Sequence, residues 1–454
     1  MSQENFRDFR IIATGDTMIN RKLDAYKNKE GFSRIVRLLQ DADVSVANLE
    51  TLLHDYEGYP AESSGGTYMR GPPGAVRDLE WAGFNIVSAA TNHTGDYSHG
   101  GMEATMRTLD NSELSYAGIG KNLAEARSPD YTESSTGRAA LVSCCSTMTP
   151  ESSAGDQRPD MHGRPGLSPL RYNTVYKATD ETLSKIRSVS ESLGLEDVKK
   201  SIRDNHPQKY NDENEDKFYF FNPAGPYNGD ELVFKRGDEN KVFRNANKKD
   251  IKAITKQIQA SKRQADIALV SLHYHEGVGG KVNESSVPDF VESFAHSCID
   301  NGADMFIGHG SHTLSGIEIY NDAPIFYGLG NFLAQNETVS RFPSEFYNRY
   351  GLDEMKSLPA DAFDERLLDD DRNPVRGHEY WETILPVCEF KDNMIDSITL
   401  YPIDLGMNRN RPHRGVPFVA SGQKSEQIIR RVDRLSTQYG TSVSFEDEKG
   451  FVNI

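Results

Sequence analysis

Cysteine is scarce in this chain, with four in 454 residues, at positions 144, 145, 298 and 388. None has C-x-x-C spacing and three lie in apolar runs, so they read as core thiols of a reducing compartment, not as a disulfide framework. No uninterrupted apolar run reaches the roughly 18 residues a spanning helix needs, which excludes a transmembrane segment of that kind. Positive charge is in short supply: 51 Lys and Arg stand against 68 Asp and Glu, a net of −17. Such a surface repels phosphate backbones and anionic lipid, so nucleic acid and membrane surfaces are poor partners. An acidic substrate would have to be received by local cations. The polar, mixed-charge first ten residues do not read as a secretory signal, and the expected location is the cytoplasm.

What is present is an alternation of short apolar strands with helix-period segments. Strands are expected at Phe9 to Thr14, Val44 to Asn48, Phe84 to Ala90, Leu114 to Ala117 and Ala139 to Cys145. Further strands are expected at Asp266 to Leu272 and Ala303 to Ile307, with a hairpin around Asn321-Asp322. Between them, Phe32, Ile35, Val36 and Leu39 share one helical face, as do Phe290, Val291, Phe294 and Cys298. The pattern predicts an α/β core with a mixed sheet covered by helices, formed by residues 8–148 and 250–335. Residues 149–249 are polar and read as an insertion, a lid or flank of the site, with Phe218 to Phe221 as its local core. Residues 336–454 read as an irregular segment, to Glu379, followed by a closing strand and helix.

The polar motifs share one position. Gly15-Asp16, Asn48-Leu49-Glu50, Asn92-His93 with Asp96, His273-Tyr274-His275-Glu276, His309 to His312 and Gly330-Asn331 each follow directly on an apolar strand. The carboxyl ends of strands in α/β sheets converge on one crevice, so six such tips predict one site. Five of the twelve histidines fall there. Asp, Glu, Asn and His donors suit Mn, Fe, Zn or Mg, and two ions could share a carboxylate. Without metal, the same residues form an acid/base set. The residue types leave both uses open.

In order, GDTM (15–18), ANLE (47–50), TNHTGD (91–96), SLHYHEG (271–277), GHGSH (308–312) and GLGNF (328–332) resemble the CapA family. These are capsule or poly-γ-glutamate synthesis proteins of bacteria and archaea, with a fold like that of the calcineurin-like metallophosphoesterases. The segment from Pro417 is similar to that family's closing helix. The resemblance implies metal ligands at Asp16, Glu50, Asn92, His273, His309 and His312, and catalytic roles for Asp16, His93, His273 and His309. Two departures stand out: Met18 replaces the histidine of the phosphoesterase Asp-x-His pattern, and His309-Gly310-Ser311-His312 is one residue longer than GHxH. The typical membrane anchor of capsule-type members is not apparent, which implies a soluble member.

Arg70, Arg164 and Arg171 are the expected grips for a glutamyl or C-terminal carboxylate, with His275 and Asn331 completing the substrate contacts. The resemblance implies action on poly-γ-glutamate or another peptide amide. The alternatives are a metal-independent peptide epimerase, like an enzyme of lasso-peptide biosynthesis on a similar scaffold, and a non-catalytic scaffold of polymer synthesis. Phosphatase activity rests on fold analogy alone. The wealth of titratable groups points towards an enzyme.

Overall fold

The computed structural model describes residues 8–210, 212–221, 231–371 and 377–454. Two sheets carry the core. The first runs, strand by strand, Ser115–Ala117, Ile86–Ser88, Val44–Asn48, Phe9–Met18, Glu382–Lys391, Met394–Asp404, Lys449–Val452 and Val443–Glu446. The second runs Asp130–Glu133, Arg138–Cys145, Ile267–His273, Met305–His309, Ala323–Phe326 and Ile317–Tyr320. Four neighbouring strands of each sheet are parallel, so their carboxyl ends emerge on one side.

The sheets pack face to face through Ile11, Val44 and Val46 of the first and Leu141, Leu269 and Ile307 of the second, all essentially inaccessible to water. Outside the first sheet lie Glu30–Gln40, Val76–Ala82 and Ser98–Asp110, which bury Phe32, Ile35, Leu79 and Met106. Outside the second lie Lys248–Ser261 and Asp289–Asp300, which bury Ile254, Ile258, Phe290 and Phe294. The result is a layered mixed-sheet α/β core flanked by helices, the architecture the strand and helix pattern predicts. All four cysteines are free and buried, as core thiols. No described helix is long and apolar enough to cross a membrane.

The first strand extends past the expected Thr14 because Asp16, Thr17 and Met18 pair with the short parallel strand Asn331–Ala334. That pairing demands glycine at position 15, where a Cβ would sit 1.9 Å from the Gly330 carbonyl oxygen. The register shifts on both sides of Asp16, a bulge of the kind that re-aims a side chain.

Within the middle segment, Lys217–Phe220, Leu232–Arg236, Tyr172–Ala178 and Lys241–Ala246 form a separate four-stranded sheet, in that order. Helices Asp180–Ser192 and Leu195–Asn205, broken at Gly194 with φ 70°, flank it. Phe218 and Leu183 are buried together there. The stretch after Asn336 is less irregular than its Asp, Arg and Pro content suggests. It holds helices Ser344–Arg349 and Pro359–Asp371, and Phe342 stacks on Phe346 and meets Phe363 edge-on. Pro359 opens its helix at the first position, where the missing N–H is not needed.

Candidate functional site

The strand ends converge as the motif positions require. Asp16 is fully buried and fully engaged: the Asn48 amide donates to Oδ1 at 2.9 Å, and the Gly310 N–H lies 3.0 and 3.2 Å from the two oxygens. His312 Nδ1 is 3.1 Å from Oδ2. Burial opposes ionisation here, but the His312 bond and the nearby His273 and His309 rings outweigh it and hold the carboxyl well below its usual range.

Glu50 is the opposite case. Its carboxylate is fully buried, yet neither oxygen has a hydrogen-bond partner. Oε1 stands 3.7 Å from His93 Nε2, 3.8 Å from His273 Nε2 and 4.0 Å from His312 Nε2. Burial, with Asp16 and Asp96 nearby, drives its pKa well above the carboxylate range. Burial also pushes the His273 imidazole well below its usual value and His275 down to about 3.

Two groups of three side chains have ligand atoms within 4.8 Å of one another: Asp16, Glu50 and His312, and Glu50, His273 and His275. Glu50 belongs to both. The orphaned Asn92 Oδ1 is a further buried oxygen without a partner. A buried carboxyl group whose two oxygens lack hydrogen bonds is costly to keep. Carboxylate oxygen, amide oxygen and imidazole nitrogen together suit a divalent cation, and this donor set fits one or a bridged pair.

The surroundings orient these groups. His93 Nδ1 is 2.7 Å from Asp96, whose Oδ2 also accepts the Met69 N–H at 2.7 Å. His275 Nδ1 is 2.6 Å from Asn283 Oδ1, which turns Nε2 towards His273 at 3.1 Å. His312 sits at φ 58°, a strained left-handed conformation for a non-glycine residue.

Several expected residues take other places. Both ring nitrogens of His309 are occupied, Nε2 by the Thr14 carbonyl at 3.0 Å and Nδ1 by Ser271 Oγ at 3.0 Å, so it braces two strands and joins neither ligand group. His275, expected at the substrate, lines the cleft and also belongs to one ligand group. Met18 brings no imidazole from its strand and lines the cleft with its thioether. Asn331 is fully buried, and its Oδ1 is 2.9 Å from His312 Nδ1 and so positions that ring.

None of the three expected arginines reaches the cleft. Arg70 donates to the His54 carbonyl and Asp55, Arg164 donates to the Ser153 carbonyl, and Arg171 grips buried Asp250 bidentately. Each found a polar partner in its own neighbourhood. The cleft, about 550 Å³, is lined by Asn92, His93, His275, His312 and Tyr380, with Arg366 among the groups on its wall. Arg366 also donates to Thr67 Oγ1. It lies in the segment that reads as irregular, far from any strand-end motif, so only its charge could have marked it.

Residues 10–336 match the family described as bacterial capsule synthesis protein PGA_cap. The uncharacterized protein y4sH of Sinorhizobium fredii is 32% identical across 98% of this chain and 93% of its own. The capsule biosynthesis protein CapA of Bacillus anthracis is 21% identical across 71% of this chain and 59% of its own. A hypothetical protein from Thermus thermophilus superposes with a TM-score of 0.37 at 11% identity, covering 87% of this chain and 99% of that one. The matched span takes in every strand-end motif from Asp16 to Asn331, and the chain belongs to the bacterial capsule synthesis protein family PGA_cap.

Proposed function

We propose that this chain acts in poly-γ-glutamate synthesis or processing as a divalent-metal-dependent enzyme that hydrolyses or transfers a glutamyl or related peptide amide. The observation that carries this reading is Glu50, a buried carboxylate with two partnerless oxygens shared by both ligand groups. Asp16, Glu50 and His312 would hold one ion, and Glu50, His273 and His275 a second. A divalent ion there would polarise a carbonyl and make water a stronger acid.

The chain's own groups supply the rest. His93, oriented by Asp96 and lining the cleft, is placed to protonate a departing amine. Arg366 offers a guanidinium for a substrate carboxylate. Asn331 and Asn283 fix His312 and His275.

A metal-independent epimerase is the second reading, favoured by His93 and His275 lining one cleft as a ready acid/base pair. Incubation of γ-glutamyl oligomers in deuterated water separates the two. Shortened products without Cα label, lost on chelation and restored by metal, support the hydrolase or transferase. A one-unit mass gain at Cα with unchanged length, insensitive to chelation, replaces it with the epimerase.

A further inference from the structure

The middle segment carries a feature that the ligand groups do not use. Across its four-stranded sheet, Lys217 pairs directly with Lys235, Lys235 with Lys177, and Lys177 with Lys241. Four lysines thus share one row at right angles to the strands, with one on every strand. Strand spacing of roughly 4.8 Å sets the interval along the row. Like charges directly opposite each other destabilise a sheet, and this chain carries a net of −17, so a row of cations is not what its composition leads one to expect.

Edge lysines commonly block unwanted strand pairing, which would account for Lys217 and Lys241 on the outer strands. It does not account for Lys235 and Lys177 on the two central ones. Within the row Lys217 is paired with Asp212, and beside it Arg236 pairs with Asp180 and Asp216. Among the described residues, Lys177, Lys235 and Lys241 are exposed and have no carboxylate partner. Lys177 and Lys241 instead flank the Phe243 ring, at 4.3 and 5.0 Å from its centroid.

A groove of about 950 Å³ adjoins this region, lined by Lys217, Tyr219, Glu231, Lys235 and Arg244 and reaching Gly279 and Gly280, with Lys177 and Lys241 outside its lining. Arg244 donates to the Gly277 carbonyl at 3.1 Å. The same loop runs on to Val282 and Asn283, which line the cleft beside His275. One loop therefore touches the basic groove on one side and the candidate catalytic site on the other.

We propose that the lysine row and the adjoining groove form an exosite for a flexible polycarboxylate chain of the poly-γ-glutamate type, on the side of the loop that leads to the cleft. The identity of the polymer rests on the functional reading above; the charge complementarity does not.

The test is fluorescence anisotropy of labelled poly-γ-glutamate with the full chain across a salt series. The triple variant K177Q/K235Q/K241Q should bind at least about tenfold more weakly, and its log Kd should depend less steeply on log salt. Unchanged affinity and slope would overturn the exosite, as would a DNA duplex competing equally at matched charge. If the triple variant does not fold by circular dichroism, Lys235→Glu alone, at an exposed position, should still weaken binding several-fold, and wild-type affinity there overturns the proposal. Polymer bound through the lysines but never turned over sinks the catalytic reading alone. Polymer turned over by a wild type whose lysine variants bind equally well sinks the exosite alone.

Discussion

Asn283 Oδ1 lies 2.6 Å from His275 Nδ1, close enough to accept its N–H and leave the Nε2 lone pair aimed at His273. A ligand held this way loses its tautomer and its ring angle when the outer partner is removed. Asn283→Ala should therefore weaken divalent-metal affinity by about 10- to 100-fold, as removal of such supporting bonds generally does. Glu50→Gln should do more and empty both ligand groups. Elemental analysis of purified protein checks both, and equal metal content in all three proteins contradicts the assignment.

Asp16→Asn keeps the shape of the side chain but gives up a charge that His312 and the Gly310 N–H both address. Metal occupancy is expected to fall before stability does. In deuterated water the variant should form shortened products slowly and gain no Cα label. A protein with normal metal content, normal turnover and an unchanged melting curve would leave Asp16 as a turn residue only.

Arg366→Gln should raise KM for an acidic substrate by about 10- to 100-fold, the range for losing one charge-assisted hydrogen bond, with a smaller change in kcat. Arg70→Gln and Arg164→Gln should leave KM near wild type, because their guanidinium groups are engaged away from the cleft. Steady-state kinetics on the three variants would expose the opposite ranking.

Asp250 is fully buried and binds Arg171 through two side-chain bonds, with Arg127 on the same carboxylate. Its replacement by Ala should cost about 3 kcal/mol, the order found when one partner of a buried pair is removed. Denaturant titration reads this directly, and a loss below roughly 1 kcal/mol would show the cluster to be solvent-screened.

His54 gives a pH signature. Burial first, and then the Arg70 guanidinium, lower its pKa to about 4, against an ordinary value of 6.5. The folded protein keeps the ring neutral while the unfolded chain takes up a proton below pH 6.5. Its contribution is thus fully present above that value and is lost as pH falls towards about 4. His54→Asn, whose Oδ1 can still accept the Tyr56 N–H that Nδ1 accepts at 3.1 Å, should flatten that part of the stability profile. An unaltered slope between those two values would refute the assignment.

Much of the architecture was legible because period and punctuation agree. Val44–Asn48 falls where its apolar run does, and Gly83, at φ 102°, ends its helix as a glycine there should. The convergence of strand ends was legible too, since it follows from parallel pairing. The division of labour among the histidines was not. His273 and His309 both follow apolar strands, and only the neighbours Thr14 and Ser271, supplied by other strands, turn His309 away from the ligand groups. Arginine partners were equally hidden: Arg171 meets Asp250 from 79 residues away, a pairing set by tertiary packing. The helix carrying Arg366 was obscured by prolines and acidic residues, although one of those prolines opens it.

The strand Glu382–Lys391 has a bearing on how this chain can be cut. It hydrogen-bonds along Phe9 to Ile12, the opening half of the strand that ends in Asp16, yet it lies beyond residue 336, where the family match stops. A fragment trimmed to that match would leave Arg10 to Ile12 as a naked edge and strip Ile384 and Phe390 from the sheet interface. Bare apolar edges recruit other copies of themselves. Trimming therefore takes Arg366 and Tyr380 from the cleft and leaves a seed of aggregation, and the residues after 336 hold that edge closed.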